Sequence, residues 1–140
     1  MTSYDEIYKR FLSKITDYNI TEFDPQDAYD MFHTWLMSSI TTQKKLEHAL
    51  DYDDELFSFV EDLSHIEKEC LALGMVIEWL QPQVNSVTNT LQMFGGKEEK
   101  FYSQANHLSE LQSLLKSVMI QRRKLISGYV YQNNSYIKGS

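Results

Sequence analysis

The sequence SHIEKECLALGMVIEWLQP, residues 64–82, decides the fold expected of this chain. Ser64 and Glu67 form the S-x-x-E pattern, in which each residue caps the backbone of the other, so a helix is predicted to begin here. In the run CLALGMVI the apolar residues occupy nearly every side of that helix, which is typical of a helix buried among its neighbours. Pro82 lacks a backbone donor and its ring crowds the preceding turn, so we expect the helix to end near it.

Two further helices are predicted before this central one. Ser3 and Glu6 repeat the capping pattern, and apolar residues then recur at three- and four-residue spacing over about four turns. Asp24 followed by Pro25 marks a second helix start. The apolar stripe that follows predicts a helix ending at residues 39–41.

The rest of the chain is predicted to contain two irregular segments and one more helix. In residues 41–63, a few apolar residues stand between clusters of charged residues. We interpret this segment as a loop with one or two short helical turns. Residues 83–96 are polar and β-branched and close with Gly-Gly, which predicts a long loop or a short hairpin-like excursion. Residues 103–127 carry apolar residues at heptad-like spacing and form the predicted last helix, which ends at Gly128.

The predicted fold is therefore an all-α bundle of four to five helices with a long loop and an extended C-terminal arm. A length of 140 residues fits one domain, and a chain of this size buries roughly 68% of its unfolded surface. Glycine and proline together number only seven, which argues against a turn-rich all-β fold. We divide the chain into a helical domain over residues 1–127 and a docking arm over residues 128–140.

The predicted arm, GYVYQNNSYIKGS, is rich in aromatic and aliphatic residues, unlike a disordered tail. In an extended conformation, alternate side chains would share a face and the backbone could pair with another chain. We expect the arm to bind a partner, with the alternative that it folds back on its own bundle. The residues predicted to make this contact are Tyr129, Val130, Tyr131, Tyr136 and Ile137.

Charge and cysteine content limit the partners and the compartment. The net charge of −7 opposes broad binding to nucleic acids, because it repels phosphate groups. A single cysteine, Cys70, excludes a disulfide within the chain and fits a reducing cytoplasm. The first residues lack the features of a secretory signal, and no apolar run reaches the roughly 18 residues of a membrane span. We therefore expect a protein that is made in the cytoplasm and stays out of membranes.

The sequence contains no complete pattern for catalysis or metal binding. Residues 51–62 place acids at alternate positions, but Leu56 stands where a calcium loop needs glycine. The sequence GGKEEK lacks the first glycine and the Ser or Thr of a phosphate loop. The histidines lie on different predicted elements, without the spacing of a zinc-binding helix: His33, His48, His65 and His107. We expect no catalytic residue, no metal and no cofactor, and hence a protein that is not an enzyme.

Charges are unevenly distributed along the chain. Residues 51–78 contain nine acids and one base, whereas the predicted last helix carries a basic cluster. An acidic surface of one copy could meet the basic surface of the next, a head-to-tail contact that closes into a ring when its rotation allows. Solvated charged faces are the alternative. The residues predicted to form this subunit contact are Arg122, Arg123, Lys124, Asp53, Asp54 and Glu55.

Three segments resemble a known family: ALGMVIEWLQPQVNS (residues 72–86), MFGGKEEKFYSQANHLSEL (93–111) and YQNNSY (131–136). Together with the order of the predicted elements, they are similar to the small all-α head-tail connector, or adaptor, proteins of tailed bacteriophages and prophages of Gram-positive hosts. The likeness covers most of the chain. It is one of segments and architecture and includes no catalytic signature.

The resemblance implies a structural virion protein of the phage neck. In such a neck, copies form a ring beneath the portal, expected to match its symmetry, and extend a channel through which DNA passes without specific binding. The ring also carries the next neck or tail-completion protein. The resemblance implies that the C-terminal arm enters the portal assembly, and Asn85 and Phe94 of the predicted long loop are the next candidates for partner contact.

Two other hypotheses belong to different classes of protein. One is a phage-encoded helical regulatory module that remains in the cytoplasm and docks its acidic face on a host protein. The other is a metal-dependent enzyme built from the scattered acids and histidines, which their spacing disfavours.

Overall fold

The computed structural model of the chain describes residues 1–15, 25–43, 50–93 and 99–133. Four helices dominate these ranges: α1 (Tyr4–Lys14), α2 (Pro25–Thr41), α3 (His65–Met93) and α4 (Glu99–Asn133). The predicted all-α bundle is confirmed.

α3 is the central helix, as the sequence predicts, and it packs against each of the other three helices. At its start the Ser64 amide donates a hydrogen bond to the Glu67 carboxylate at 2.9 Å, and the Glu67 amide donates to the Ser64 hydroxyl at 3.2 Å. These reciprocal bonds satisfy two amides that would otherwise lack partners at the start of the helix. Residues 70–76 are all buried, so the neighbouring elements cover α3 on every side along this stretch.

α1 begins at the other predicted cap, where the Ser3 amide donates to the Glu6 carboxylate at 3.2 Å. The helix has 11 residues, which is three turns rather than the predicted four. Its buried residues recur at three- and four-residue spacing, and they are Tyr4, Ile7, Tyr8 and Phe11.

Pro82 does not end α3, so the loop predicted over residues 83–96 is wrong for residues 83–93. A proline inside a helix removes one backbone hydrogen bond and costs about 3 kcal/mol or more. Here Val84 is buried and Val87 packs against the core, so tertiary burial of the second part of α3 offsets the local cost. Residues 94–98, at the other end of the predicted loop, lie outside the described residues.

α4 is longer at both ends than the predicted helix over residues 103–127. Gly128 lies inside it, so the expectation of an extended arm that starts at Gly128 is wrong for residues 128–133. A glycine in a helix interior costs about 1 kcal/mol relative to alanine. Tyr129 and Val130 pack against the core, and this burial offsets that cost. Residues 134–140 of the predicted arm lie outside the described residues.

A small antiparallel sheet stands where one or two helical turns were expected within residues 41–63. Its strands, in the sheet order β1-β3-β2, are β1 (Thr2–Ser3), β2 (Tyr52–Asp53) and β3 (Ser58–Phe59). β2 and β3 form a hairpin, and β3 also pairs with β1, which places Thr2 opposite Phe59. Phe59 is fully buried and holds the hairpin against the bundle.

An aromatic cluster joins the sheet, α1, α2 and α3. The Tyr4 ring meets the Phe59 ring edge-on with centroids 5.4 Å apart. The Phe11 ring meets the Phe32 ring of α2 at 5.6 Å and the Trp79 ring of α3 at 6.3 Å, also edge-on. Such edge-to-face pairs are favourable beyond the area they bury. The cluster therefore fixes the hairpin and the start of α1 relative to the two larger helices.

Candidate protein-binding surfaces

The hairpin of β2 and β3 presents large apolar side chains to solvent. Phe57 is 63% exposed, Leu56 59% and Val60 55%, and Tyr52 is also largely exposed. Single exposed apolar residues are ordinary, but a group of them on one short element is typical of a surface that binds another protein. We call these four residues the hairpin patch.

Phe57 adopts a backbone conformation that bulky residues rarely use. Its φ is 51°, in the left-handed region that favours glycine and asparagine. The Tyr4 amide donates to the Phe57 carbonyl at 2.9 Å, and the two rings meet edge-on at 6.2 Å. Strained residues of this kind occur often at binding sites, where the surrounding structure holds them in place. Phe57 therefore combines a rarely used backbone conformation with an exposed ring at the turn.

The turn of the hairpin depends on Asp53. Its carboxylate accepts hydrogen bonds from the amides of Glu55 at 2.9 Å and Leu56 at 3.3 Å. An aspartate that bonds the backbone two and three residues ahead fixes a tight turn. Asp53, predicted to bind a neighbouring subunit, therefore stabilises the turn of its own hairpin. Glu55, predicted to lie in the same subunit contact, has an exposed side chain.

A groove of about 610 Å³ lies between the hairpin and the first turns of α1 and α2. Both aromatic rings and carboxylates line it. Tyr4 and Tyr8 are buried at its floor, while Tyr29 and Phe57 are exposed at its sides. The three carboxylates belong to Asp5, Asp30 and Asp54. We call this site the aromatic groove.

Asp54 is held in the aromatic groove by two neighbours. The Tyr4 hydroxyl donates to its Oδ1 at 2.6 Å, and His33 Nε2 lies 3.1 Å from the same oxygen. The hydrogen bond from Tyr4, followed by that from His33, holds the pKa of Asp54 below its usual value. Burial raises the pKa of both Tyr4 and Tyr8, so their hydroxyls remain protonated donors. The groove therefore keeps a negative charge at neutral pH.

Arg122 is buried within the chain, so the prediction that it lies in a subunit contact is wrong. Its side chain is held by three residues of α3, α2 and the segment after α2. Nε donates to the Cys70 carbonyl at 2.9 Å, and Nη1 donates to the Thr42 hydroxyl at 3.0 Å. Nη2 donates to both the carbonyl and the hydroxyl of Ser39 at 3.0 Å. Burial lowers the pKa of Arg122 to about 10, and the guanidinium stays charged at neutral pH.

The exposed bases of α4 lie beside apolar residues. Arg123 and Lys124, predicted with Arg122, are exposed, as is Lys116. Ile120 and Met119 between them are 37% and 43% exposed. Lys116, Ile120 and Lys124 follow four-residue spacing and so lie on one face of the helix. We call Lys116, Ile120, Arg123 and Lys124 the basic stripe.

Acidic residues, unlike basic ones, are confined to the first 110 residues of the sequence. All 20 acidic residues lie at or before Glu110, and the 30 residues that follow contain bases but no acid. The basic stripe therefore has no acidic residue on its own stretch of α4. The carboxylates of the aromatic groove come from α1, α2 and the hairpin.

The residues predicted to bind a partner fall in different places. Asn85 is exposed on α3 and accepts a hydrogen bond from the Gln81 side chain at 3.2 Å. Tyr129 and Val130 are half-buried against the core, and burial raises the pKa of Tyr129. Tyr131 lies in α4. Three predicted contacts lie outside the described residues: Tyr136, Ile137 and Phe94.

The aromatic groove could not be predicted from the sequence. Its walls come from helix starts and a turn that are far apart in sequence, and the tyrosines of α1 fit an ordinary apolar stripe. The one available signal was the excess of tyrosine on that stripe, since a buried tyrosine needs a partner for its hydroxyl. For Tyr4 that partner is Asp54, fifty residues away.

Among the described residues, no group of three or more His, Cys, Asp or Glu side chains is arranged to hold a metal ion. Cys70 is buried, and burial raises the pKa of its thiol to about 11. Over the same ranges, no helix combines the length and apolarity needed to span a membrane.

Comparison of the chain with family models, with curated proteins and with solved structures finds no match.

Proposed function

We propose that this chain is a non-catalytic assembly protein of the phage neck, a head-tail connector adaptor that binds under the portal as a ring. The observation that carries the proposal is the hairpin patch, whose apolar side chains are exposed beside a turn that holds Phe57 in a rarely used backbone conformation. Burying such a patch against another protein removes apolar surface from water, which favours association. The connector role itself rests on the resemblance of residues 72–86, 93–111 and 131–136 to that family.

In this proposal the protein joins head to tail inside the virion after synthesis in the host cytoplasm. Residues 134–140 and the hairpin patch supply contacts with the portal or with the next neck or tail-completion protein. Ring contacts then form cooperatively, because each bound copy raises the effective concentration of its neighbours. Acidic residues facing the channel would repel DNA phosphates, so the genome passes without being held.

The proposal is tested by measuring capture of the purified chain on portal rings and its incorporation into virions. Phe57→Asn is the decisive variant, because asparagine tolerates the left-handed backbone at residue 57 but lacks the apolar ring. We expect unchanged or slightly higher thermal stability and roughly tenfold weaker capture, since aromatic anchors dominate many interfaces. Removal of residues 134–140 should weaken capture in the same assay.

Asn106→Ala, an exposed substitution in α4 away from the hairpin patch, is the matched control and should bind as the unaltered chain does. Absence of the unaltered chain from both portal rings and virions would overturn the connector proposal. Recovery of a host protein with the chain, together with that absence, would instead support the regulatory module that docks on a host protein.

A further inference from the structure

The aromatic groove has the chemistry of a site for a cationic side chain. A Lys or Arg group is attracted both by carboxylates and by the faces of aromatic rings within about 6 Å. The groove offers three carboxylates and four aromatic rings over about 610 Å³. Two basic side chains contact these carboxylates: Lys9 pairs with Asp5 at 3.1 Å, and His33 contacts Asp54. Asp54 is ionised at neutral pH, as an aspartate ordinarily is, and its hydrogen bonds with Tyr4 and His33 lower its pKa further.

The basic stripe has the complementary chemistry. It carries three cations around Ile120. Lys116, Ile120 and Lys124 of the stripe border a shallow depression of about 400 Å³ along α4, together with Ser117 and Gln121. Tyr29 supplies the apolar counterpart, since it lines the groove and is 52% exposed. Cations on the stripe can meet the carboxylates while Ile120 meets the Tyr29 ring.

Within one chain the two surfaces do not occupy each other. The groove is built from α1, α2 and the hairpin, whereas the stripe lies on α4, which packs chiefly against α3. Among the residues that the structure describes, none lines both the groove and the depression. Over the described residues, the two surfaces are separate, so the groove of one copy and the stripe of a second copy can meet.

We propose that the aromatic groove of one copy binds the basic stripe of a second copy, with Lys124 or Lys116 entering between Tyr29 and Asp54. The contact joins two different surfaces and so repeats from copy to copy. This inference rests on the assembly role proposed above, and it names the residues through which copies meet. Arg122 takes no part, because it is buried in its own chain.

Disulfide trapping between two singly substituted chains tests the contact. Leu56→Cys places a thiol at the edge of the groove, and Ser117→Cys places one beside the stripe without altering its charges. Cys70 is buried and stays out of the reaction. The mixed chains, oxidised mildly at low salt, should form the heterodimer linked through positions 56 and 117 about tenfold more than either homodimer, because complementary charges fix the register.

Two controls separate the proposed contact from random collision. Asn106→Cys, exposed on α4 outside the stripe, should trap no more with Leu56→Cys than a random encounter gives. Replacing both Lys116 and Lys124 by Gln in the Ser117→Cys chain should abolish the excess of heterodimer over homodimer. Circular dichroism should show that the helix content of this chain is unchanged. In an equal mixture, random encounter gives twice as much heterodimer as either homodimer. A heterodimer yield no higher than this, or a heterodimer excess that survives loss of both lysines, would overturn the proposal.

Portal capture of the unaltered chain is measured separately. Selective trapping without portal capture would support the head-to-tail contact and overturn the connector proposal. Portal capture without selective trapping would overturn only the proposed head-to-tail contact.

Discussion

Gly74 of α3 lies directly against the guanidinium of Arg122 of α4. A Cβ built on Gly74 would overlap the Ser39 hydroxyl and Arg122 Nη2, and it would lie 2.7 Å from Arg122 Cζ. The missing side chain is therefore what admits a buried cation between α3 and α4. The cation in turn donates to the Cys70 carbonyl and to both oxygens of Ser39, so it ties three helices together.

Gly74→Ala should destabilise the protein although alanine is the better helix former. The added methyl group must displace Arg122 or Ser39, and overpacking of this kind costs about 1–3 kcal/mol. Gly128→Ala is the matched control, since nothing lies within 4 Å of a Cβ at that position. Because residue 128 is inside α4, this variant should gain about 0.5–1 kcal/mol. Urea unfolding of the two variants measures both changes, and a loss of stability in Gly128→Ala would contradict a continuous α4.

Arg122→Met should lower the free energy of unfolding by about 2–4 kcal/mol, because the substitution leaves buried carbonyl and hydroxyl groups without their donor. Methionine fills much of the same volume, so the loss of stability measures the missing hydrogen bonds more than a change in packing. Arg123→Met, one residue along on the exposed side of α4, should stay within about 0.5 kcal/mol of the unaltered chain. Equal effects of the two substitutions in chemical denaturation would show that Arg122 is not buried.

Tyr4→Phe should raise the pKa of Asp54 toward its ordinary value, because it removes the larger of the two hydrogen bonds that lower it. A carboxyl whose pKa is depressed in the folded state stabilises the fold above the unfolded-state pKa, and this contribution is lost as pH falls through the folded-state value. The variant should therefore lose less stability than the unaltered chain between neutral and acidic pH. Carboxyl titration by NMR, with Glu55 as the exposed reference, measures the shift directly.

Cys70 should react with a thiol reagent only after unfolding. The thiolate is the reactive form, and a pKa raised to about 11 leaves little of it at pH 8. Burial also blocks the reagent. We expect labelling at least about a hundredfold slower in the native state than in urea. Rapid labelling of the native protein would mean that α3 and α4 separate readily around this residue.

Local signals in the sequence predicted the parts of the fold that are encoded locally. The caps at Ser3 and Ser64, the start at Pro25 and the buried run around Cys70 all depend on residues within a few positions of one another. The ends of α3 and α4 could not be read in this way. Pro82 and Gly128 both disfavour helix locally, and the burial of residues beyond them is a tertiary effect.

The candidate surfaces were harder to predict because they depend on pairing across the chain. The hairpin forms where β3 meets β1, so residues 52–59 take their conformation from residues 2 and 3. Arg122 belongs to a run of three bases, and its sequence neighbours give no sign that it is buried. The related feature of the sequence is Gly74, which lies on a different helix and marks the place where Arg122 approaches the backbone of α3.

The exposed bases of the basic stripe have no acid among the residues that follow Glu110 in sequence. A protein of net charge −7 would ordinarily pass through a cation-exchange resin near neutral pH. Because this chain presents a cluster of exposed bases on one helix, its retention depends on how it faces the resin more than on its total charge. The same local charges favour encounters in which the basic stripe of one copy faces the carboxylates of another.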